Sequence, residues 1–204
     1  MASWDVPRRP TTAAFRDFQA VDRDLRAALR LGVRFAEEAY ERLWAEAGRH
    51  AGGGRDQRTV FEELHDGLWQ PDYQWAHAVA LLGDAVAGYE AYVERAHAEL
   101  RPGGPTAWAQ LRAGFARLDV EIDPPGVERA RALRRLLALR RGELRSEQQR
   151  TRVRAPAGDL LAVAAALDAH DVIDVLDALG HAADAIDPVV VAHRPGGRPL
   201  PEWV

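Results

Sequence analysis

The sequence predicts an all-α fold, a single-domain bundle of about five helices. Apolar residues recur at spacings of three and four over long stretches, which is typical of amphipathic helices. The sequence contains neither the two-residue turns that join hairpin strands nor an internal repeat. With 204 residues, 47% of them hydrophobic, the chain is long enough to bury most of its apolar surface in one core.

The first half of the chain predicts two long helical runs. Residues 12–47 repeat an apolar residue at nearly every turn of one face, and the glycines at 52–54 end that helix. A second run is interrupted near Gln70 and Pro71 and continues to residue 100 with apolar residues on several faces. Because a helix that is apolar all round must be covered by its neighbours, we expect this run at the centre of the bundle.

The second half predicts three further helices. The stretch RPGGPT at 101–106 precedes a short helix that begins near Trp108, and DVEIDPPG precedes a helix over residues 126–141. Asp159 is suited to cap a last long helix with an inward apolar stripe. The residues after Pro188 are rich in Pro and Gly, so we expect a tail there.

Composition narrows the classes of function. The chain has no Cys, which excludes disulfides and thiolate metal sites. All 27 basic residues are Arg, whose planar guanidinium suits phosphate and carboxylate. The N-terminus lacks the apolar segment of a signal peptide, and no run approaches the roughly 18 apolar residues of a membrane span. We therefore expect a cytoplasmic protein that does not contact membranes.

Charge is distributed unevenly along the chain. Residues 128–154 hold ten Arg and three Glu, a net charge of +7, whereas the remainder holds 17 Arg and 28 acids, a net charge of −11. The predicted helix 126–141 has an apolar arc made of Leu133, Leu136, Leu137 and Leu139. Its opposite arc carries Arg131, Arg134, Arg135 and Arg141. This basic arc is either a phosphate-binding surface or a solvated face whose arginines pair with the chain's 31 acids.

Two patterns raise the question of a metal site. Glu62 with His65 and Glu94 with His97 have the ExxH spacing of di-iron bundles, but the glutamates of the first helix cluster near one end among polar neighbours. The last helix carries a stripe on one side, made of His170, Asp174, Asp177 and His181. Such a stripe, opposite an Ala/Leu/Val stripe, is typical of a solvated face. We predict no metal and no cofactor, and a di-iron bundle stays an alternative.

Four segments follow one another in an order that is similar to that of a known protein family. They are ALLGDAVAGYEAYVER, then Trp108 to Leu118 with DVEI, then RALRRLLALRRGELRSEQQR, and finally DVIDVLDALGHAADAIDPVV. This order resembles that of HEPN-domain proteins over about residues 60–190, and the third segment falls where the family keeps its RxxxxH motif. HEPN domains are small helical bundles, commonly dimers, and the active ones are metal-independent ribonucleases. The resemblance implies a HEPN-like core over 59–190, preceded by the long helix and Gly-rich loop of 1–58 and followed by the tail 191–204.

The resemblance also implies a catalytic pair. In HEPN ribonucleases two motifs meet across a dimer axis, where Arg holds and polarises a phosphate and His transfers protons. On this chain the family Arg falls on Arg134 and the His position on Leu139. Since leucine cannot transfer a proton, we predict that this catalytic site is inactive. Arg58 and His65 offer another spacing of the motif, but they precede the central helix.

We therefore predict a HEPN-like bacterial protein that binds RNA or a protein partner, such as an antitoxin, in a toxin–antitoxin or antiphage system. The residues predicted to contact phosphate are Arg131, Arg134, Arg135, Arg140, Arg141 and Arg145. We also predict a symmetric homodimer with the 126–141 helices near its axis. The alternatives are a ribonuclease that uses another acid or base, and a structural dimerisation module with Leu139 in an apolar seam.

Overall fold

The computed structural model describes residues 10–65, 69–104, 106–156 and 158–195. Within these ranges it contains eight α-helices, one 3₁₀ helix and no strand, so the predicted all-α class is confirmed. The α-helices are α1 (Ala13–His50), α2 (Gln57–Leu64), α3 (Gln70–Leu100), α4 (Trp108–Ala116), α5 (Pro125–Arg140), α6 (Glu147–Arg150), α7 (Leu160–Ala166) and α8 (Ala169–His193). The 3₁₀ helix, Arg141–Leu144, lies between α5 and α6. Four long helices, α1, α3, α5 and α8, contribute most of the core.

The first helix starts at a buried polar contact. Thr12 caps α1 by accepting a hydrogen bond from the backbone N–H of Phe15 at 3.0 Å. The backbone N–H and the hydroxyl of Thr12 both donate to Oδ1 of Asp187, at 3.0 and 2.6 Å. Asp187 is only 3% exposed, and its carboxylate lies at the positive end of the α1 dipole. This contact joins the beginning of α1 to the last third of α8.

The central position predicted for α3 is confirmed by its buried tyrosines. Tyr89 and Tyr92 are at most 2% exposed. The Tyr89 hydroxyl donates to the carbonyl of Ile122 at 2.9 Å, and the Tyr92 hydroxyl donates to the carbonyl of Ala183 at 3.1 Å. Burial raises the pKa of both hydroxyls above the usual tyrosine value. The two hydroxyls therefore connect α3 to α8 and to the segment that precedes α5.

The second half of α1 extends beyond the main core and packs against α2. Ala47, Val60 and Phe61 form a separate buried cluster there, at most 2% exposed. The rings of Tyr40 and Trp44 stack on one another, and both contact the Phe61 ring. Because α2 covers only the inner side of this half of α1, the outer side of the helix stays open to solvent.

The predicted number of about five helices is wrong, because short helices occupy the connections. Asp159 caps α7 as predicted, accepting from the N–H of Leu161 at 2.7 Å. The expected long last helix is nevertheless broken after Ala166. Asp168 starts α8 with a capping box, in which its carboxylate accepts from the N–H groups of His170 and Asp171.

The predicted end of the last helix at Pro188 is also wrong. The helix α8 contains Pro188 and continues to His193. Of the tail predicted over 191–204, residues 196–204 lie outside the described part of the chain. Among the described helices, none is long and apolar enough to cross a membrane.

Candidate functional site on helix α5

The basic segment found in the sequence corresponds to α5, the 3₁₀ helix and α6. Val127, Ala130, Leu133 and Leu137 form the buried face of α5, each at most 2% exposed. Leu139 is 83% exposed, so its predicted packing role in the apolar arc is wrong. At about 100° per residue, Leu139 points roughly 160° away from Leu137, its neighbour two positions earlier. The apolar arc drawn from the sequence was therefore too wide.

Arg131, which the sequence placed on the basic arc, is largely buried and paired with acids. Its side chain is 11% exposed, and its guanidinium lies 3.8 Å from the centre of the Trp108 ring. Its Nε donates to Oε1 of Glu90 at 2.9 Å, and its Nη1 lies 3.3 Å from both carboxylate oxygens of Asp123. Arg131 thus connects α3, α4 and the segment before α5 through one cation–π contact and two ion pairs.

Asp123 is the buried anion of this network. Its side chain is 5% exposed and accepts hydrogen bonds from Nε1 of Trp108, at 2.7 Å, and from Arg112. Burial alone raises the pKa of a carboxyl group. Here the hydrogen bonds from Trp108 and Arg112 and the charge of Arg131 outweigh burial, so the pKa of Asp123 is lowered. Asp123 is therefore a stable counter-ion for the arginines around it.

Arg134, which the resemblance aligned with the motif arginine, contacts the bundle and is also partly open to solvent. Its Nη1 donates to Oε2 of Glu90 at 2.6 Å, and its side chain is 38% exposed. Glu90 consequently holds Arg131 with one carboxylate oxygen and Arg134 with the other. A phosphate that bound Arg134 would compete with a carboxylate already in place.

The remaining predicted phosphate contacts are exposed. Arg140 forms an exposed pair with Glu143 at 2.6 Å. Arg135, Arg141 and Arg145 are exposed and have no acidic partner among the described residues. With Leu139, these three arginines belong to the last turns of α5 and the 3₁₀ helix or follow directly after it. We call Arg135, Leu139, Arg141 and Arg145 the basic end of α5.

Arg150 on α6 belongs to the same basic segment and also forms contacts inside the bundle. Its side chain is 7% exposed and lies 3.0 Å from Oδ1 of Asp72. It also donates to the carbonyl of Pro71 at 3.2 Å and lies over the Trp75 ring. Part of the +7 net charge of the segment is therefore neutralised inside the bundle, and the surface charge comes from fewer arginines than the sequence suggests.

The residue pairs considered for metal binding do not converge. Glu94 is exposed, whereas His97 is 7% exposed and packs its ring against Phe115. Burial lowers the pKa of His97, and the nearby charge of Arg101 lowers it further. The described residues contain no group of three or more His, Asp or Glu side chains arranged to hold a metal ion.

The other two patterns also resolve into local contacts. Arg58 lies 3.4 Å from Glu62 and over the Trp69 ring, while the His65 ring packs against Phe61. On α8, Asp177 pairs with Arg26 at 2.8 Å and the ring of His181 contacts the backbone carbonyl of the same aspartate.

Sequence reasoning missed the partners that decide what each arginine does. Glu90, Trp108, Arg112 and Asp123 did not enter the predicted site, although all of them contact its arginines or each other. The sequence contained a weak signal for Asp123. This residue directly precedes the prolines at the start of α5, and an acid is favourable near the N-terminus of a helix. Glu90 gives no such signal, because its contacts with α5 arise only in the folded bundle.

Comparison of the chain with protein-family models, curated proteins and solved structures finds no match. The class of the protein therefore rests on its fold, a helical bundle with a basic end on α5.

Proposed function

We propose that this chain is a HEPN-like helical protein that binds RNA through the basic end of α5 without cleaving it. The observation that carries the proposal is the exposure of Arg135, Arg141 and Arg145, which have no acidic partner among the described residues. Three like charges in one region of an otherwise acidic chain favour contact with a polyanion. The exposed Leu139 adds an apolar surface among them.

Two observations favour binding over catalysis. Leu139 occupies the position where the family motif has its proton-transferring His, and leucine cannot act as an acid or base. Arg134, at the position of the phosphate-polarising Arg, is already paired with Glu90 at 2.6 Å. Among the described side chains, those that form hydrogen bonds, ion pairs or a ring contact with Arg131 and Arg134 are carboxylates and the Trp108 ring, and none is a histidine.

The resemblance to HEPN proteins supplies the biological part of the proposal. On this resemblance we propose a role in a toxin–antitoxin or antiphage system, where an antitoxin or another protein would be a further partner. The inactive motif makes this chain a binding component of such a system rather than its nuclease.

An RNA-binding titration at several salt concentrations tests the proposal. The double variant Arg135→Gln/Arg141→Gln should bind a single-stranded RNA more weakly than the natural protein. Its salt dependence should also be flatter, by about 0.7 in the slope of log K against log salt for each lost phosphate contact. The matched control is Arg16→Gln/Arg30→Gln, which removes the same charge from exposed positions on α1.

The control variant should keep nearly all the affinity of the natural protein. Equal losses of RNA affinity in the two variants would show that binding depends only on net charge. This outcome would contradict a binding site on α5. A single-stranded DNA of the same sequence forms the second arm of the experiment. Equal affinity for DNA and RNA would overturn the assignment of RNA as the ligand and leave a general polyanion site.

A further inference from the structure

The outer face of α1 carries the largest exposed apolar pair among the described residues. Leu31 is 68% exposed and Phe35 is 61% exposed, one helical turn apart. The core side of this part of α1 is formed by other residues, such as Leu29 and Ala36, which are at most 6% exposed. Leu31 and Phe35 therefore contribute nothing to the core of their own chain, and their exposure costs free energy in water.

This face extends along α1 as two lines of exposed residues. Within each line, successive residues are seven positions apart. One line carries acids towards the N-terminus and the other carries arginines towards the C-terminus. The first line is Asp17, Asp24 and Leu31, and the second is Phe35, Arg42 and Arg49. All six residues are exposed, and a seven-residue spacing keeps each line on one side of a helix.

The two lines are complementary when a second copy of α1 runs antiparallel to the first. Leu31 and Phe35 are equally far from Val33 along the helix, and so are Asp24 and Arg42. A two-fold axis on the outer side of α1, at the height of residue 33, therefore sets Leu31 against the partner's Phe35 and Asp24 against the partner's Arg42, each contact occurring twice. The same axis sets Asp17 against the partner's Arg49.

The contacts that these charged side chains make within their own chain leave them able to pair with a second copy. Asp24 lies 4.0 Å from Arg23, and its side chain is 80% exposed. Arg42 donates through Nε to the backbone carbonyl of Glu38 at 3.1 Å, which leaves its terminal nitrogens for a partner. Asp17 already pairs with Arg95 at 2.7 Å, so its contact with the second copy would extend an existing pair.

The basic end of α5 is less suited to self-association. A two-fold axis there would bring Arg135, Arg141 and Arg145 of both copies together, and like charges repel across an interface. The α1 face instead carries both signs in an order that an antiparallel copy reverses. From this complementarity we infer that the outer face of α1 binds a second copy of this chain, forming an antiparallel α1 pair about an axis at the height of residue 33. This inference is independent of RNA binding.

Charge reversal tests the pairing. Asp24→Arg sets arginine against the partner's Arg42 at two places in the dimer, and Arg42→Asp sets two acids together. Each variant alone should raise the dimer dissociation constant by about tenfold or more, measured by sedimentation over a wide range of protein concentrations. The double variant Asp24→Arg/Arg42→Asp restores opposite charges and should return the constant to near the natural value. Circular dichroism establishes that each variant is folded.

Two substitutions separate this surface from the basic end of α5. Leu31→Glu should abolish the dimer, whereas Leu139→Glu, which changes another exposed leucine, should leave it intact. A natural protein that is monomeric at every concentration would overturn the inference. So would a dimer that survives Leu31→Glu, or a double charge reversal that behaves like the sum of the single reversals.

Cross-linking tests the antiparallel direction. The chain has no Cys, so an introduced thiol is the only one present. Positions 24 and 42 are 18 residues apart on α1. At about 1.5 Å per residue, position 24 of one copy therefore lies about 27 Å along the helix pair from position 24 of the other, too far for a disulfide between two copies of the same variant. A mixture of Asp24→Cys and Arg42→Cys proteins should give a disulfide-linked dimer on oxidation, whereas each protein alone should not. Equal cross-linking of each protein alone would contradict the antiparallel pairing.

Discussion

Arg131 and Arg135 lie one turn apart on the same face of α5, yet they have opposite environments. Arg131 is 11% exposed and contacts Trp108, Glu90 and Asp123. Arg135 is exposed and has no acidic partner among the described residues. The difference lies in what the neighbouring elements bring to each turn of α5, because α3, α4 and the segment before α5 meet it beside Arg131.

This difference separates two uses of the same residue type. A guanidinium enclosed by an aromatic ring and two carboxylates holds helices together, and removing it leaves each carboxylate with one cationic partner fewer. An exposed guanidinium without an acidic partner contributes little to folding but attracts phosphate. The variants below test this separation and are ordered by their expected effect on the free energy of unfolding.

The largest loss is expected for Arg131→Met, which keeps much of the side-chain volume but removes the charge. The free energy of unfolding should fall by about 3 to 5 kcal/mol, because Asp123 and Glu90 each lose a partner and the Asp123 carboxylate is only 5% exposed. Urea denaturation measures the change. Arg135→Met is the matched control and should change stability by no more than about 0.5 kcal/mol. Similar losses in the two variants would show that the two arginines do not differ as proposed.

A smaller loss is expected for Asp123→Asn. The amide still accepts a hydrogen bond but no longer carries a charge for Arg112 and Arg131, so stability at neutral pH should fall by about 1 to 3 kcal/mol. The exposed Asp119→Asn serves as the control. Its backbone φ of 55° is one that asparagine adopts readily, so little change is expected.

The same variant has a defined pH dependence. The pKa of Asp123 is lowered in the folded protein, so its stabilising effect is complete above the unfolded pKa of about 3.9 and is lost as the pH falls through the folded pKa. The difference in stability between the natural protein and Asp123→Asn should therefore shrink below about pH 4. A difference that stays constant as the pH falls would show that the Asp123 charge is not what stabilises the network.

The sequence predicted the parts of this molecule that depend on local patterns. Apolar periodicity located α1 and α3 to within a few residues, and Asp159 was correctly predicted as a cap. The break at Asp168 was missed because the stretch around it is rich in alanine and leucine and continues the helical pattern. Here a capping box outweighed helix propensity, which is a weak determinant.

The candidate site was predicted less well, for a physical reason. The position of an arginine on a helix follows from the sequence, but its exposure depends on residues far away in the chain. Arg131 is separated from Glu90 by 41 positions, and no local pattern brings them together. Leu139 was placed on the apolar arc because its spacing from Leu136 fits the helical period, but the helix ends one residue later and no element in the described part of the chain covers it.

Glu90→Gln should have opposite effects on folding and binding. The variant loses the charge that holds Arg131 and Arg134, and stability should fall by about 1 kcal/mol. Arg134, which is 38% exposed, then becomes available to phosphate, and RNA affinity at low salt should rise about two- to fivefold. Glu37→Gln changes the net charge equally at an exposed position on α1 and is the control. An equal rise in RNA affinity for both variants would show that Glu90 does not shield Arg134.

The smallest effect on folding is expected for Leu139→His, which restores the RxxxxH spacing on Arg134. Because Leu139 is 83% exposed, the substitution should change stability by no more than about 0.5 kcal/mol. The new imidazole titrates near neutrality and would supply the missing proton transfer, a contribution that is typically about 10²- to 10⁴-fold. Metal-independent RNA cleavage should therefore rise above the background of the natural protein.

Three variants test whether Arg134 and position 139 act together as an RxxxxH motif. Cleavage by Leu139→His should be lost when Arg134→Ala is added, and it should increase when Glu90→Gln frees Arg134 from its carboxylate partner. A folded Leu139→His protein that binds RNA but does not cleave it would show that Arg134 and position 139 do not form a catalytic pair within one copy of the chain. Strong metal-independent cleavage by the natural protein, abolished by Arg134→Ala, would contradict an inactive site altogether, because Leu139 would then be dispensable for proton transfer.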